Sequence, residues 1–300
     1  MTTVSVVIPT HDRRALLAES VASVLDQRFA DWELIIVDDG SADDTPRYLE
    51  TLRDARIRWI RRDEAGGPAV ARNDGFALAR GELVMFLDDD DLLRPDALTR
   101  LTDALRDHPD AVAASGACRL FHENGDSVRV YRPERSYTRS IWRELLFGWW
   151  SNSGQNLYRT SIVRELGGFD PTFFVVEDRK LWLQVARRGP VCVLPFVSME
   201  YRQHEVQLTK RPNIVVERER CWAEFIDSLP ASERAACRRI RRSGELSAAA
   251  ERARAEGRFA RATRLQLGAM ASAPGLVGSP LLRRPFWWGL KKSLLRQTAP

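Results

Sequence analysis

The sequence has few of the residues that build disulfide frameworks or zinc sites. Among 300 residues there are four histidines and four cysteines, and no two cysteines form a CxxC pair. The cysteines are Cys118, Cys192, Cys221 and Cys237. Scattered cysteines argue against both a disulfide scaffold and a structural zinc site. They are typical of a reducing compartment, so the sequence predicts a cytoplasmic protein.

Long hydrophobic runs are also missing. No apolar stretch approaches the roughly 20 residues that a membrane-spanning helix needs. The N-terminus leads directly into a strand-like segment, without the charged and then apolar regions of a secretory signal. Because 44% of the residues are hydrophobic and 29% are charged, the composition is that of a folded globular protein. We therefore expect a soluble or peripheral protein.

Neither sign of charge dominates the chain, although basic residues are in slight excess. The formal net charge is +5, which favours anionic partners such as nucleic acid, a membrane surface or a phosphorylated substrate. No nucleic-acid recognition module accompanies the arginines, so the sequence predicts no nucleic-acid partner.

The most informative stretch is an apolar run, Leu83–Leu87, followed directly by four aspartates, Asp88–Asp91. The run predicts a buried strand of a parallel sheet, and ligands of such sheets bind beyond the carboxyl ends of the strands. Four adjacent carboxylates repel one another, so a divalent cation or strong hydration must compensate them. The stretch alone leaves a cation site and a solvated acidic turn as equal alternatives.

Two earlier strands are predicted to end in polar residues. Val4–Ile8 leads to Thr10, an amphipathic helix follows at Arg14–Leu25, and the strand Glu33–Val37 leads to Asp39. If these strands are parallel to the one before the aspartates, all three polar ends meet at one edge of the sheet.

Past the aspartates one more helix is predicted, with Leu98, Leu101 and Leu105, and the alternation of strands and helices then stops. Strands are predicted at 111–114, 118–121 and 191–194, with a hairpin turn at Glu123–Asp126. Trp149 and Trp150 are aromatic residues that stack on a sugar ring or, as most aromatics do, fill a core.

Two further features have ordinary explanations when taken alone. Glu177 and Asp178 stand at a predicted helix N-terminus, where carboxylates commonly complement the helix dipole. His204 is a lone histidine, and such residues more often belong to a surface or a core than to a metal site.

The last third of the chain is rich in arginine and alanine and predicts helices, with a helical hairpin around Gly257. The end of the chain, Leu281–Arg296, mixes tryptophans and leucines with basic residues. This composition suits peripheral contact with an anionic membrane, for instance the inner face of the cell membrane, or a helix packed on the preceding domain. We expect one domain at residues 1–212 and a helical C-terminal extension at 213–300.

Taken in order, several segments resemble the family 2 glycosyltransferases of the GT-A fold. They are Val4–Arg13, Trp32–Ser41, Ala71–Asn73, Gly81–Glu82, Phe86–Asp91, Gly167–Asp170, Glu177–Asp178 and Tyr201–His204. Their order and spacing make a chance match improbable, and they cover about two thirds of the chain. The resemblance implies an α/β fold with a Rossmann-like mixed sheet flanked by helices, followed here by the helical extension.

The resemblance also implies roles for individual residues. The nucleotide-binding residues would be Pro9, Thr10, His11, Asp39, Arg72, Asp88 and Asp89. Asp90 and His204 would bind a divalent cation, Mn²⁺ or Mg²⁺, although four consecutive aspartates leave this register open by one residue. Asp178 would be the catalytic base, with Glu177, Trp149 and Trp150 as candidate acceptor or supporting residues.

The implied activity is a metal-dependent, inverting transfer of a sugar from a nucleoside diphosphate sugar to an acceptor hydroxyl, in polysaccharide or glycoconjugate biosynthesis. Two alternatives stay open. One is a non-catalytic module that binds sugar nucleotides. The other is a nucleotidyltransferase of similar architecture, but such enzymes usually carry a glycine-rich basic loop after the first strand, and Pro9–Arg13 contains no glycine.

Overall fold

The structure, a computed structural model, describes residues 2–122, 127–131, 133–148, 151–204, 207, 214–279 and 282. The strands are β1 (Val4–Thr10), β2 (Trp32–Asp38), β3 (Ile57–Arg61), β4 (Leu83–Phe86), β5 (Leu92–Leu93), β6 (Ala113–His122), β7 (Ser127–Tyr131), β8 (Tyr137–Arg139), β9 (Asn156–Arg159) and β10 (Val191–Gln203). The helices are α1 (Arg14–Leu25), α2 (Thr45–Leu49), α3 (Pro68–Leu78), α4 (Ala97–Asp107), α5 (Trp142–Phe147), α6 (Thr160–Glu165), α7 (Glu177–Arg188), α8 (Ile214–Ser228), α9 (Ala231–Ala255) and α10 (Phe259–Ser272).

Some predicted features lie outside the described residues. They are the hairpin turn at Glu123–Asp126, Trp149, Trp150 and, apart from Leu282, the C-terminal segment 281–296. What the sequence indicates for them stays a prediction.

The strands form a mixed sheet in the order β3-β2-β1-β4-β9-β6-β10-β5, with β7 paired to β6 and β8 paired to β10. The pairs among β3, β2, β1 and β4 are parallel, as the alternation of strands and helices along the chain requires. β9 enters antiparallel between β4 and β6. The predicted mixed α/β sheet flanked by helices is confirmed.

The central strands are covered on both faces. Every residue of β1 and β2 is buried, as expected for parallel strands between two helical layers. On one face Val6 and Leu34 belong to a core cluster with Leu17 of α1. On the other face α3 approaches so closely that a Cβ on Gly75 would lie 2.5 Å from Cγ1 of Val7. Packing on both faces therefore holds β1 and β2 in place next to their carboxyl ends.

Two strands are longer than the sequence predicts. β6 runs without a break from Ala113 to His122, whereas two separate strands are predicted there. It pairs with β10 on both sides of Gly116, although Gly116 itself lies at an irregularity of that pairing. β10 continues to Gln203 instead of stopping at Leu194. Its Pro195 stands where the pairing with β6 is irregular, so the missing N–H interrupts no regular ladder.

The chain divides into two compact units. Residues 1–140 and 151–221 make up the first, which contains the sheet, and residues 141–150 and 222–300 make up the second. In the second unit α9 and α10 form the predicted helical hairpin, with Gly257 between them at φ 74°. The predicted domain boundary after residue 212 stays a prediction. No helix among the described residues is long and apolar enough to cross a membrane.

Candidate active site

The carboxyl ends of β1, β2 and β4 bring most of the predicted site residues together. Thr10, at the end of β1, is paired in register with Asp38 of β2, and the N–H of Asp39 donates to the carbonyl of Thr10 at 2.8 Å. On the other side of β1, the N–H of Leu87 donates to the carbonyl of Val7 at 2.9 Å. The parallel pairing therefore carries the four aspartates to the same edge as Thr10 and Asp39.

Asp39 is buried and holds a glycine loop. Its carboxylate accepts hydrogen bonds from the N–H groups of Gly66 at 2.8 Å and Gly67 at 2.7 Å, and Nε of Arg62 lies 2.9 Å away. Gly67 has φ 85°, a conformation that favours glycine. The carbonyl oxygen of Asp39 is 2.7 Å from Nδ1 of His11. The two predicted nucleotide contacts, His11 and Asp39, are thus neighbours, and their contact with a nucleotide stays a prediction.

We call Asp88–Asp91 the acidic turn. Each of its carboxylates has protein partners: Asp88 pairs with Arg72, Asp89 with Thr10 and Arg13, Asp90 with Arg13 and His204, and Asp91 with the backbone N–H of Arg202. The turn is therefore fixed by β1, α3 and β10 together.

The four carboxylates of the acidic turn differ in how readily they ionise. Burial raises the pKa of Asp88, Asp89 and Asp91, and the negative charge of Asp90 adds to this effect. For Asp89 the pKa rises to about 7. Burial also acts on Asp90, but the hydrogen bond from His204 and the charge of Arg13 outweigh it and lower the pKa of Asp90. Asp90 is therefore the member best kept as a carboxylate, which a metal ligand must be.

The acidic turn has a donor set that fits a divalent cation. One carboxylate oxygen each from Asp88, Asp90 and Asp91 lies within 4.8 Å of the others. Oδ2 of Asp91 is buried and has no hydrogen-bond partner among the described residues, which is costly unless a cation or a proton satisfies it. Carboxylate oxygens are suitable ligands for Mg²⁺ and Mn²⁺. Nε2 of His204 is 2.9 Å from Oδ2 of Asp90, so both predicted metal ligands are adjacent.

The candidate base, Asp178, stands in the first turn of α7 and is partly buried. Its Oδ1 accepts a hydrogen bond from the N–H of Arg179 at 2.7 Å, and Oδ2 lies 3.4 Å from Oγ of Ser153. The loop that leads into α7 is held by Glu217, which accepts the N–H groups of Phe174 at 3.0 Å and Val175 at 2.9 Å. These hydrogen bonds together hold the start of α7, and with it the carboxylate of Asp178, in place.

Arg72 links the acidic turn to α7. Its buried guanidinium donates to both Asp88 and Glu177 and lies 5.4 Å from the ring centre of Phe169. Burial opposes a charge here, but the carboxylates of Asp88 and Glu177 raise the pKa of Arg72 above its ordinary value. Burial raises the pKa of Glu177 to about 7; Arg72 lowers it and the charge of Asp178 raises it further. The predicted contact between Arg72 and a nucleotide stays a prediction.

Two basic residues that the sequence analysis does not single out also enter the site. Nη1 of Arg13 lies 3.0 Å from Asp89 and 2.9 Å from Asp90. Arg202 donates its N–H to Asp91 at 3.1 Å and its Nε to the carbonyl of Asp90 at 3.0 Å. Both arginines lie inside segments that carry the family resemblance, but no local pattern of the sequence indicates that they face the acidic turn.

Comparison with known proteins identifies the family. Residues 5–175 match the family model described as Glycosyl transferase family 2. The chain belongs to this family. TuaG of Bacillus subtilis, named for teichuronic acid biosynthesis, is 38% identical over 192 residues, which are 62% of this chain and 73% of TuaG. The UDP-Glc:α-D-GlcNAc-diphosphoundecaprenol β-1,3-glucosyltransferase WfgD of Escherichia coli is 26% identical over 233 residues, which are 75% of this chain and 87% of WfgD.

One relative is much longer than this chain. The uncharacterised protein y4gI of Sinorhizobium fredii is 33% identical over 194 residues, which are 62% of this chain but 20% of y4gI. The aligned part of the chain thus spans about a fifth of that relative.

Solved structures show the fold. Staphylococcus aureus TarS 1–349 in complex with UDP-GlcNAc aligns with a TM-score of 0.67 and 18% identity, over 98% of this chain and 89% of that one. The mannosyltransferase PcManGT from Pyrobaculum calidifontis, in complex with GDP-Man and Mn²⁺, aligns with a TM-score of 0.55 and 18% identity, over 98% and 84% of the two chains. The predicted GT-A fold is confirmed.

Proposed function

We propose that this family 2 chain is a metal-dependent glycosyltransferase that inverts the anomeric centre. It moves a sugar from a nucleoside diphosphate sugar to an acceptor hydroxyl in the assembly of a polysaccharide or another glycoconjugate. The observation that carries the proposal is the link between the acidic turn and α7, in which Arg72 joins Asp88 to Glu177, the neighbour of Asp178. The sugar nucleotides bound by TarS and PcManGT and the biosynthetic names of TuaG and WfgD support it.

In this proposal the donor nucleotide lies at the ends of β1 and β2. Thr10, His11 and Asp39, supported by Pro9, bind the base and the ribose, and Asp88 lies on the ribose side. Asp90 and His204, with Asp88 and Asp91 in reach, hold a divalent cation, for which Mn²⁺ and Mg²⁺ are the candidates. Such a cation, when bound, neutralises the charge that develops on the leaving diphosphate.

Asp178 is the proposed general base. An acceptor hydroxyl is a weak nucleophile at neutral pH, and a placed carboxylate that removes its proton is worth roughly 10²–10⁴-fold in rate. A single base acting on the acceptor while the diphosphate leaves gives one displacement and therefore inversion. The partly buried position of Asp178 at the start of α7 supports this role.

Replacing Asp178 tests the catalytic part of the proposal. Asp178→Asn is expected to bind donor with an affinity within about twofold of the wild type and to transfer roughly 10²–10⁴-fold more slowly. Donor binding is measured by calorimetry, and turnover as release of nucleoside diphosphate from UDP and GDP sugars in the presence of saccharide acceptors. Asp103→Asn, which removes the same charge from an exposed ion pair on α4, serves as the matched control.

A turnover of Asp178→Asn close to that of the control would remove Asp178 as the base. A wild-type chain that binds donor but releases no diphosphate would instead favour the alternative of a non-catalytic binding module.

The proposal also includes peripheral membrane contact through residues 281–296. Tryptophans and leucines among basic residues support it. We test this contact by cosedimentation of anionic liposomes with the full chain and with a chain that lacks residues 281–300. Equal binding by the two chains would show that this segment does not contact the membrane.

A further inference from the structure

Arg13 places a positive charge inside the acidic turn. The residue directly precedes α1, and its Nη1 donates to Oδ1 of Asp89 at 3.0 Å and to Oδ2 of Asp90 at 2.9 Å. The two carboxylate side chains are only 6% and 10% exposed, whereas that of Arg13 is 26% exposed. Arg13 therefore compensates two buried charges from a position that solvent reaches.

Oδ2 of Asp90, the carboxylate oxygen that Arg13 contacts, already has a second partner. Oδ2 of Asp90 also lies 2.9 Å from Nε2 of His204. A carboxylate oxygen has two lone pairs, so Arg13 and His204 together occupy it. A cation that binds at this oxygen must replace one of them. A neutral imidazole can turn Nε2 from Asp90 to the cation and become a metal ligand, whereas a guanidinium is always charged and repels a cation, so Arg13 is the group that opposes cation binding.

Arg13 retains donors for a second partner. Among the described residues, its hydrogen bonds are made by Nη1 alone, which leaves Nη2 and Nε for another acceptor. Arginine binds phosphate in a bidentate manner through such pairs of donors. A diphosphate that arrives from the solvent side thus offers Arg13 a new anionic partner when it leaves Asp90.

We propose that Arg13 is an internal counter-ion that couples cation binding to donor binding. Without nucleotide, Arg13 neutralises Asp89 and Asp90 and competes with a divalent cation for Asp90. With a nucleoside diphosphate in the site, Arg13 binds the phosphates and releases Asp90, so cation and nucleotide bind better together than separately. The inference rests on the proposed function, because it assumes a cation at Asp90 and a diphosphate donor.

The coupling is measured by titrating Mn²⁺ into the full chain, followed by calorimetry and by the electron paramagnetic resonance of free Mn²⁺. Each titration is done without nucleotide and with saturating UDP, GDP or dTDP. In the wild type we expect one nucleotide to tighten Mn²⁺ binding by roughly tenfold or more, within the usual range of coupling between sites. In Arg13→Gln we expect Mn²⁺ alone to bind about tenfold more tightly than to the wild type, since one charge-assisted hydrogen bond no longer competes.

Arg14→Gln is the matched control, because it removes the same charge one residue further on. Arg14 is exposed and lies 5.2 Å from the ring centre of Tyr48, away from the acidic turn. The Mn²⁺ affinity of Arg14→Gln, and the effect of nucleotide on that affinity, should equal those of the wild type. Arg13→Met, which keeps the apolar stem, replaces Arg13→Gln if circular dichroism shows that the latter does not fold.

Two results distinguish this inference from the proposed function. If the wild type shows the coupling and Arg13→Gln keeps both its Mn²⁺ affinity and its coupling, the role of Arg13 is wrong while the proposed function stands. If the wild type binds neither Mn²⁺ nor any of the three nucleotides, both are wrong.

Discussion

Arginine side chains explain how this chain tolerates four consecutive aspartates. Arg13 bridges Asp89 and Asp90, and Arg72 bridges Asp88 and Glu177. The sequence predicts that a cation or hydration compensates the acidic turn, and the structure adds protein cations as a third means. Removing one partner of such a buried pair leaves an uncompensated charge. Replacing either arginine should therefore destabilise the fold, whether or not a ligand is bound.

Glu177 should make the stability of the fold depend on pH. Its pKa is about 7 in the folded chain, above the ordinary value of 4.5, mainly because it is buried. The folded state therefore holds this proton more firmly than the unfolded state, so the contribution of Glu177 to stability is present below pH 4.5 and is lost as the pH rises through 7. Between pH 5 and pH 7, the free energy of unfolding of the wild type should fall by on the order of 2 kcal/mol more than that of Glu177→Gln. Urea unfolding at the two pH values measures the difference.

Glu165→Gln is the control for this measurement, because it removes an exposed carboxylate paired with Arg188. Its stability should follow the pH in the same way as that of the wild type. Equal pH dependence of Glu177→Gln and the wild type would show that Glu177 does not titrate as described.

For individual residues, the sequence predicts which side chains lie at the same edge of the sheet but not which of them form hydrogen bonds with one another. Thr10 and Asp89 are expected at one sheet edge because both follow parallel strands. Their hydrogen bond at 2.7 Å joins residues 79 positions apart, and no local pattern encodes it. The contacts of Arg13 also join residues far apart in the sequence. Apolar periodicity indicates a helix or a strand, but it does not show where a side chain just outside that helix or strand points.

Among the elements, the contact between α9 and α5 depends on one glycine. A Cβ on Gly244 would lie 1.7 Å from the backbone oxygen of Phe147. In an exposed helix, replacing glycine by alanine stabilises by up to about 1 kcal/mol, but here the clash with backbone should dominate. Gly244→Ala should lower the free energy of unfolding by roughly 2 kcal/mol, in the range of overpacked cores. Urea unfolding followed by circular dichroism measures it.

Gly268 of α10 provides the matched control for Gly244. The nearest atom to a Cβ there is Cδ1 of Leu246 at 3.7 Å, an ordinary contact distance. Gly268→Ala should therefore be neutral or stabilising. A Gly244→Ala variant as stable as Gly268→Ala would contradict the close approach of the two helices.

The elements are predicted best where local pattern decides them. α1 has the predicted bounds, Arg14–Leu25, because its apolar spacing and its position between two strands agree. β6 and β10 are longer than predicted because they pair with each other on both sides of Gly116 and Pro195, which themselves lie at an irregularity of this pairing. The length of a strand is thus set by partners that a single sequence does not reveal.

For the whole molecule, the alternation of strands and helices predicts the parallel half of the sheet and hence the place of the site. The insertion of β9 between β4 and β6 is a long-range pairing that the alternation does not predict. The family resemblance supplies what the residues alone leave open, namely the GT-A fold and the roles of Asp90 and Asp178. The fold is confirmed, and the roles stay predictions.

The central claim is that the acidic turn holds a divalent cation that supports a nucleoside diphosphate at the strand ends. Calorimetric titration of UDP, GDP, dTDP and their sugars, with and without Mn²⁺, tests it most directly in the wild type and in Asp90→Asn. We predict that the wild type binds one nucleotide class, that Mn²⁺ tightens this binding, and that Asp90→Asn loses the effect of Mn²⁺. Absence of binding to every nucleotide, or an equal effect of Mn²⁺ on both chains, would contradict the claim.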